Sequence, residues 1–147
     1  MFKHILCAVD GSKHSLKSAQ VAGELAARFG AELTFLTVTK DLKMTAEVKR
    51  YIEIENLVGE PQYVLDDYTK EVLHQARDRA REVGVAEIKT EVLVGHLART
   101  IMRFAERSGV DAIVLGSRGH GDQEGVLLGS VSHKVTSLCK PTCIVVK

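Results

Sequence analysis

The sequence lacks the features that mark membrane-spanning or nucleic-acid-binding proteins. It contains no tryptophan and only two prolines, and no apolar run approaches the roughly 20 residues that cross a bilayer. Its 20 basic and 19 acidic residues give a net charge of +1, so no excess of one sign would attract nucleic acid or an acidic membrane surface. We therefore expect neither a nucleic acid nor a membrane as a partner.

Cysteine is also scarce, and its distribution indicates a reducing compartment. Three cysteines make an odd, small set that gives no disulfide framework, and residues 1–6 turn polar too early for a secretory signal peptide. Cys139 and Cys143 have no second pair at zinc-ligand spacing, and Cys7 lies in an apolar run. We interpret all three as structural thiols of a cytoplasmic protein without a metal site.

The residues that are present predict one globular domain over residues 1–147. The chain is 45% hydrophobic and 27% charged, which is ordinary for a soluble domain, and it is long enough to bury a sizeable core. Neither a linker, a long repeat nor a low-complexity segment divides it.

Apolar runs alternate along the chain with amphipathic segments. The runs predict strands over residues 5–9, 33–38, 88–94, 111–115 and 142–146. The segments between them predict helices whose first turns lie near Ser12, Tyr63, Leu97 and Gly129 or Ser130; the first three of these helices end at Gly30, Gly84 and Gly109. Residues 39–60 interrupt the alternation, and we interpret them as an excursion over the sheet, with a short helix around residues 48–54.

This order of elements predicts the fold class. Helices between successive strands require right-handed crossovers, which produce a parallel sheet with helices on both faces. We expect a single-domain α/β fold with a five-stranded parallel sheet in the order 3-2-1-4-5, which is Rossmann-like.

A glycine-rich stretch follows the fourth predicted strand. It reads Gly116-Ser117-Arg118-Gly119, and after nine intervening residues the pair Gly129-Ser130 opens the last helix. Glycine lets the main chain approach a phosphate closely, and the first amides of a helix have no internal partner and lie at the positive end of its dipole. The pattern favours phosphate binding, although glycines after a strand and a serine at a helix start are equally typical of turns and caps.

Asp10 follows the first strand, which neighbours the fourth in the predicted order. Ligands in such sheets bind beyond the carboxyl ends of the strands where the strand order reverses, so Asp10, Val38 and Gly116 are expected on one rim. Asp10 is a candidate partner for a ribose hydroxyl, and the alternative is a local turn residue before Gly11. Neither a Walker lysine motif nor a G-x-G-x-x-G motif is present, so a nucleotide would be held by a different arrangement.

The spacing Gly116-x-x-Gly119, nine residues, Gly129-Ser130 resembles the G-2x-G-9x-G-[ST] signature of the ATP-binding branch of the universal stress protein family. The likeness also covers residues 5–12, 92–95, 112–119 and 140–146, and so extends over essentially the whole chain. It implies a sheet of the adenine nucleotide alpha hydrolase-like type and a cytoplasmic, homodimeric protein of the stress response.

The resemblance further implies an ATP site, in which any magnesium ion would be held by the phosphates. Ala8, Val9 and Asp10 would line the adenine and ribose pocket, with Val38 against the base. Many relatives carry Pro and Thr where this chain has Ala8 and Val9, so a hydroxyl near the base is lost here. The ribose and phosphates would be surrounded by Gly116, Ser117, Arg118, Gly119, His120, Gly129, Ser130, Val131 and Ser132.

Several of these side chains suit a phosphate on chemical grounds. The hydroxyls of Ser130 and Ser132 could donate to phosphate oxygens. Arg118 could add a charge-assisted bond, the alternative being a solvated loop residue.

The sequence shows no complete catalytic set for phosphoryl transfer. His120 is a candidate proton carrier, but a loop histidine is more often simply solvated. We expect a nucleotide-sensing module with slow or absent ATP turnover; the alternatives are a nucleotide-independent dimeric stress protein and a slow ATP-hydrolysing enzyme. No metal-ligand spacing is seen among the other histidines, which are His4, His14, His74, His96 and His133.

The last predicted strand is expected at an edge of the sheet. An exposed edge recruits a further strand unless it is protected, so pairing of Ile144 to Val146 with the same segment of a second copy would give a two-fold homodimer.

Overall fold

Strands and helices alternate along the whole described chain. The computed structural model describes residues 1–39, 50, 53–54, 61–119 and 128–147, and of residues 61–66 the backbone alone. The elements are β1 (His4–Ala8), α1 (Lys13–Phe29), β2 (Glu32–Thr39), α2 (Pro61–Glu82), β3 (Ile88–Val94), α3 (Leu97–Arg107), β4 (Ala112–Gly116), α4 (Ser130–Leu138) and β5 (Thr142–Val146). The boundaries predicted from sequence agree to within two residues. Most of the excursion predicted over residues 39–60 lies outside the described residues.

The five strands form one parallel sheet in the order β3-β2-β1-β4-β5, which confirms the predicted fold class and strand order. The central strand β1 contributes Ile5, Leu6 and Cys7, all fully buried. Such an unbroken apolar run is typical of a strand covered on both faces. The chain builds outward from β1 through β2 to β3, then returns to the other side of β1 for β4 and β5, so the strand order reverses between β1 and β4.

Alternate side chains of the strands enter two separate hydrophobic cores. Ile5, Cys7 and Val9 pack in a core that includes residues of α1 and α2. Leu6 lies in the second core, with residues of α3 and α4, and the half-buried Ala8 packs against it. Helices therefore cover both faces of the sheet, as predicted. None of the helices among the described residues is long and apolar enough to span a membrane.

The first helix shows how local sequence sets an element's ends. At its N-terminus the Ser12 hydroxyl accepts a hydrogen bond from the amide of Ser15 at 3.3 Å. At its C-terminus Gly30 adopts the left-handed conformation, φ 62°, which residues with a Cβ rarely adopt. In between, a Cβ on Gly23 would lie 2.9 Å from Val83 Cγ2 and 3.0 Å from Ala80 Cα, so glycine permits the close approach of α1 and α2.

Candidate functional site

The candidate site lies where the strand order reverses, beyond the carboxyl ends of β1 and β4. Cys7 pairs with Val114, and extending that register by two residues sets Val9 opposite Gly116. Both α1 and α4 begin just beyond this edge. Three segments that are distant in the sequence therefore meet here, namely residues 8–15, 116–119 and 129–132.

The carbonyl group of Ser117 joins the two ends of the glycine signature. Its oxygen accepts a hydrogen bond from the Gly129 amide at 2.6 Å and another from the Ser132 hydroxyl at 2.8 Å. The Ser132 hydroxyl also lies 3.1 Å from the Gly129 carbonyl oxygen, and Ser132 is buried. The start of α4 is thus fixed against the end of β4, although a long loop separates them in the sequence.

Ser130 and Ser132 were both predicted to donate to phosphate oxygens, but their surroundings in the structure differ. The Ser132 hydroxyl gives its proton to the Ser117 carbonyl, so its contribution within the structure is to hold the loop ends together. Ser130 is exposed at the first position of α4, and its side chain faces solvent. Val131 is half-buried and packs against the core shared by α3 and α4.

The N-termini of α1 and α4 differ in how their free amides are satisfied. In α1 the side chain of Ser12 caps the helix, whereas in α4 the N-cap residue is Gly129, which makes no side-chain cap bond. The amides of the first turn of a helix have no partner within the helix and lie at the positive end of its dipole. Of these two termini, α4 is therefore the one suited to receive an anion.

His14, on the first turn of α1, is a site residue that the sequence did not reveal. Its Nδ1 lies 3.1 Å from Ser117 Oγ, and its Nε2 lies 3.1 Å from Nη2 of Arg118. A guanidinium group carries only donors, so Nε2 must be the acceptor of the second bond. In this arrangement the ring is neutral, and Nδ1–H donates to Ser117 Oγ. Arg118, one of the predicted site residues, is thereby positioned by α1.

Gly116 is required by the packing of α1 against β4. A Cβ at this position would lie 2.8 Å from His14 Cβ, 2.9 Å from the His14 carbonyl carbon and 3.1 Å from the Ser15 amide nitrogen. Real Cβ atoms essentially never approach a heavy atom to less than 3.0 Å. The first glycine of the signature thus has a structural reason that is independent of any ligand.

Asp10 forms a local turn at the same rim. Its Oδ1 accepts the Ser12 amide at 2.9 Å, and its carbonyl oxygen accepts the Tyr68 hydroxyl at 3.0 Å. The hydrogen bond at Oδ1 is that of a local turn before Gly11, which was the alternative role predicted for Asp10. Asp10 is partly buried at this rim.

The remaining predicted residues divide between the two faces of the sheet. Ala8 and Val38 are half-buried on the face covered by α3 and α4, which is the face from which α4 begins. The Val9 side chain is buried on the opposite face, and its amide donates to the Leu36 carbonyl at 2.9 Å. Val9 therefore contributes backbone to the rim. His120 lies outside the described residues.

A surface cleft lies away from the candidate site. With a volume of about 680 Å³, it lies between α2 and the edge strand β3, and Thr90, in its lining, pairs with Phe35 partway along the strand, away from its carboxyl end. Its lining comprises Asp67, Lys70, Glu71, Leu73, His74, Arg77 and Thr90.

Among the residues that the structure describes, no group of three or more His, Cys, Asp or Glu side chains could hold a metal ion.

A five-stranded parallel sheet with helices on both faces, and a glycine-bearing loop where its strand order reverses, defines an α/β protein of the Rossmann-like class. The model of the universal stress protein family matches residues 1–147. Over 154 aligned positions that span both chains in full, the sequence is 34% identical to universal stress protein YxiE of Bacillus subtilis. The chain belongs to the universal stress protein family.

Solved structures agree with this assignment at the level of the fold. The universal stress protein UspA from Lactobacillus plantarum superposes with a TM-score of 0.80 at 24% identity, over 99% of this chain and 98% of the other. A universal stress protein in complex with cAMP superposes with a TM-score of 0.71 at 25% identity, over 99% and 96%. The family and the fold predicted from sequence are confirmed, and membership of its ATP-binding branch stays a prediction.

Proposed function

We propose that this protein binds ATP at the reversal of strand order and acts as a nucleotide-sensing module of the cytoplasmic stress response. In this proposal bound ATP sets the shape or partner choice of the protein and is turned over slowly or not at all. The observation that carries the proposal is the pair of bonds to the Ser117 carbonyl, which places the uncapped N-terminus of α4 beside the glycine loop.

Each part of the nucleotide has a matching group in the proposed site. The first amides of α4 and the Ser130 hydroxyl would bind the phosphates, as an uncapped helix N-terminus does with anions. Arg118, held by His14, would add a positive charge, and Asp10 would accept a hydrogen bond from the ribose. Ala8 and Val38 would contact the base on the side of the sheet from which α4 begins. A magnesium ion, where present, would be held by the phosphates.

The choice of an adenine nucleotide draws on the family. The universal stress protein solved with cAMP is a structural neighbour of this chain, so an adenine nucleotide is the ligand class to test first. Since cAMP is cyclic and carries a single phosphate, it would use less of the α4 N-terminus than ATP. We therefore expect ATP to bind more tightly than cAMP.

Calorimetric titration of the purified protein with ATP, AMP and cAMP tests the proposal. We expect heat of binding with ATP, and at least about a tenfold loss of affinity in Gly119→Val, since a side chain would keep the main chain away from the phosphates. Gly84→Ala is the control for a glycine substitution away from the site: its position faces open space at the far end of α2, and its φ of 92° gives it a backbone cost that does not involve the rim. Absence of heat with every adenylate would reject ATP sensing in favour of a nucleotide-independent dimer. Unchanged ATP binding in Gly119→Val would reject the glycine loop as the phosphate site.

Turnover is tested separately, by phosphate release. We expect a rate well below about one per second, the lower end of ordinary enzymatic turnover. Steady hydrolysis above that rate, abolished in His120→Ala, would make the protein an enzyme and refute a purely sensing role.

We also propose that the protein forms a homodimer through β5. This strand lies at the edge of the sheet, and the Ser117 amide donates to the Val146 carbonyl oxygen at 2.8 Å, so the polar backbone groups of Val146 face β4. The backbone N–H and C=O groups of successive strand residues point to opposite sides, so the backbone groups of Val145 point away from β4, toward the open edge. Val145→Pro removes the outward amide and should convert the dimer to a monomer in light scattering, whereas Val145→Thr should not. A wild-type monomer at micromolar concentration would refute the dimer.

A further inference from the structure

Two cysteines meet where α4 gives way to β5. Cys139 ends the helix and Cys143 is the second residue of the strand, and their sulfur atoms lie 2.7 Å apart. Both thiols also approach the carbonyl oxygen of Pro141, at 3.5 Å and 3.8 Å. Both residues are half-buried, whereas Cys7 is buried.

The main chain holds this pair in place from both sides. The Cys139 amide donates to the Val135 carbonyl oxygen at 2.9 Å, and Val135 is fully buried. Cys143 pairs in register with Ile113 of β4, which is also fully buried. Both cysteine side chains pack against the core shared by α3 and α4. The proximity of the two sulfur atoms is therefore set by the fold.

We propose that Cys139 and Cys143 are a reversible redox-active dithiol, which closes to an intrachain disulfide when a peroxide or a low-molecular-weight disulfide oxidises it. A transient disulfide of this kind is compatible with a reducing compartment, where sensing disulfides form and are reduced again. The proposal does not depend on nucleotide binding.

With hydrogen peroxide the reaction balances in two steps. The thiolate of one cysteine attacks one peroxide oxygen, the O–O bond breaks, and a sulfenic acid and a hydroxide ion form; the hydroxide takes up a proton to become water. The sulfur of the other cysteine then attacks the sulfenic sulfur, its thiol proton is transferred, the S–O bond breaks and a second water leaves. Two thiols lose two electrons in total, and the peroxide is reduced to two waters.

The two sulfur atoms influence each other. Burial and the neighbouring Cys139 thiol raise the pKa of Cys143 to about 12. The reaction balances in the same way whichever of the two sulfurs attacks the peroxide first. The chain also contains its own unreactive reference, because burial raises the pKa of Cys7 to about 12 and Cys7 is fully enclosed.

Oxidation of the reduced, full-length protein with hydrogen peroxide or oxidised glutathione tests the proposal. After acid quenching and alkylation, we expect the peptide of residues 135–147 to carry no alkyl group and to be two hydrogen masses lighter than the unmodified reduced peptide. Dithiothreitol should restore both hydrogens and allow both thiols to be alkylated. Trypsin does not cut the bond between Lys140 and Pro141, so both cysteines stay on this one peptide. Cys7 should be alkylated only after denaturation.

The same oxidation in guanidinium-unfolded protein shows whether the folded structure, and not only the short spacing in the sequence, promotes the disulfide. Positioning of the sulfurs by the fold should make the folded chain close its disulfide at least about tenfold faster. Cys7→Ser should behave as the wild type, while Cys139→Ser and Cys143→Ser should each give a mixed disulfide or an oxidised acid in place of the intrachain bond. Equal rates in the folded and unfolded chains, a link between two chains, or a bond to Cys7 would overturn the proposal.

Discussion

His14 Nε2 accepts a hydrogen bond from Arg118 Nη2 at 3.1 Å, across 104 positions of the sequence. The same ring lies 3.1 Å from the Ser117 hydroxyl through Nδ1. One histidine on the first turn of α1 therefore fixes both a charge and a hydroxyl at the end of β4. The position of Arg118 at the proposed nucleotide site depends on a different helix from the one that would bind the phosphates.

Replacing His14 by alanine should weaken ATP binding by about fivefold, because a net hydrogen bond contributes about 1 kcal/mol and Arg118 would lose its support. Calorimetry measures the change. His74→Ala is the matched control, since His74 is exposed on α2 and contacts Asp78. In an Arg118→Ala background the His14 substitution should have little further effect, and equal losses in both backgrounds would show that the two residues act independently.

Replacing Gly116 by alanine should lower the free energy of unfolding by about 1–3 kcal/mol, because the new Cβ would collide with His14. Guanidinium denaturation measures it. Gly109→Ala isolates the other kind of glycine requirement, since that position has φ 65° but faces open space, and it should cost about 1 kcal/mol through the backbone alone. A Gly116→Ala protein as stable as the wild type would contradict the close approach of α1.

The two serines at the start of α4 should separate stability from binding. Ser132→Ala removes a buried donor from the Ser117 carbonyl, and we expect a loss of about 1 kcal/mol in unfolding free energy. Ser130→Ala alters an exposed position, so stability should change by less than about 0.5 kcal/mol while ATP affinity falls. Denaturation measures the stability of both variants, and calorimetry measures their ATP affinity. If Ser132→Ala lost ATP affinity and Ser130→Ala lost stability, Ser132 would be the phosphate ligand.

Alkaline pH should destabilise the protein partly through Cys7. Burial raises the pKa of this thiol from 9.0 to about 12, so above pH 9.0 the unfolded chain loses the proton while the folded chain keeps it. The contribution of Cys7 to stability is therefore complete below pH 9.0 and declines by up to about 1.4 kcal/mol per pH unit above it.

Unfolding free energies of the wild type and Cys7→Ala, measured from pH 8 to about pH 11, test this dependence. The alanine variant should start lower because of the cavity it leaves, and its stability should fall less steeply with pH. If the unfolding free energies of the two proteins fell equally steeply with pH, Cys7 would ionise as readily in the folded chain as in the unfolded one.

The fold was predictable because its determinants are local. The apolar run of β1 indicates a strand buried on both faces, and Ser12 and Gly30 mark the ends of α1 by side-chain and backbone preferences that act within a few residues. The alternation of helices and strands predicted a parallel sheet with crossover helices, and the order 3-2-1-4-5 was the one expected for a Rossmann-like sheet of five strands.

The contacts within the candidate site were less predictable, because they join distant residues. Nothing near His14 in the sequence signals a bond to Arg118, and the direction of the Ser132 hydroxyl depends on where the Ser117 carbonyl falls. The Cys139–Cys143 contact depends on how the chain turns at Pro141. Gly116 was predicted as a phosphate-binding residue, and the structure gives the glycine a packing reason in the proximity of His14, which a glycine pattern alone cannot reveal.

The helix α4 has only nine residues and is therefore about 14 Å long. Its first residue lies at the proposed phosphate position, its last is followed by the thiol pair, and Val135 anchors its middle in the core. The proposed phosphate position and the thiol pair are therefore at opposite ends of one short element, separated by about the length of a single nine-residue helix anchored at Val135.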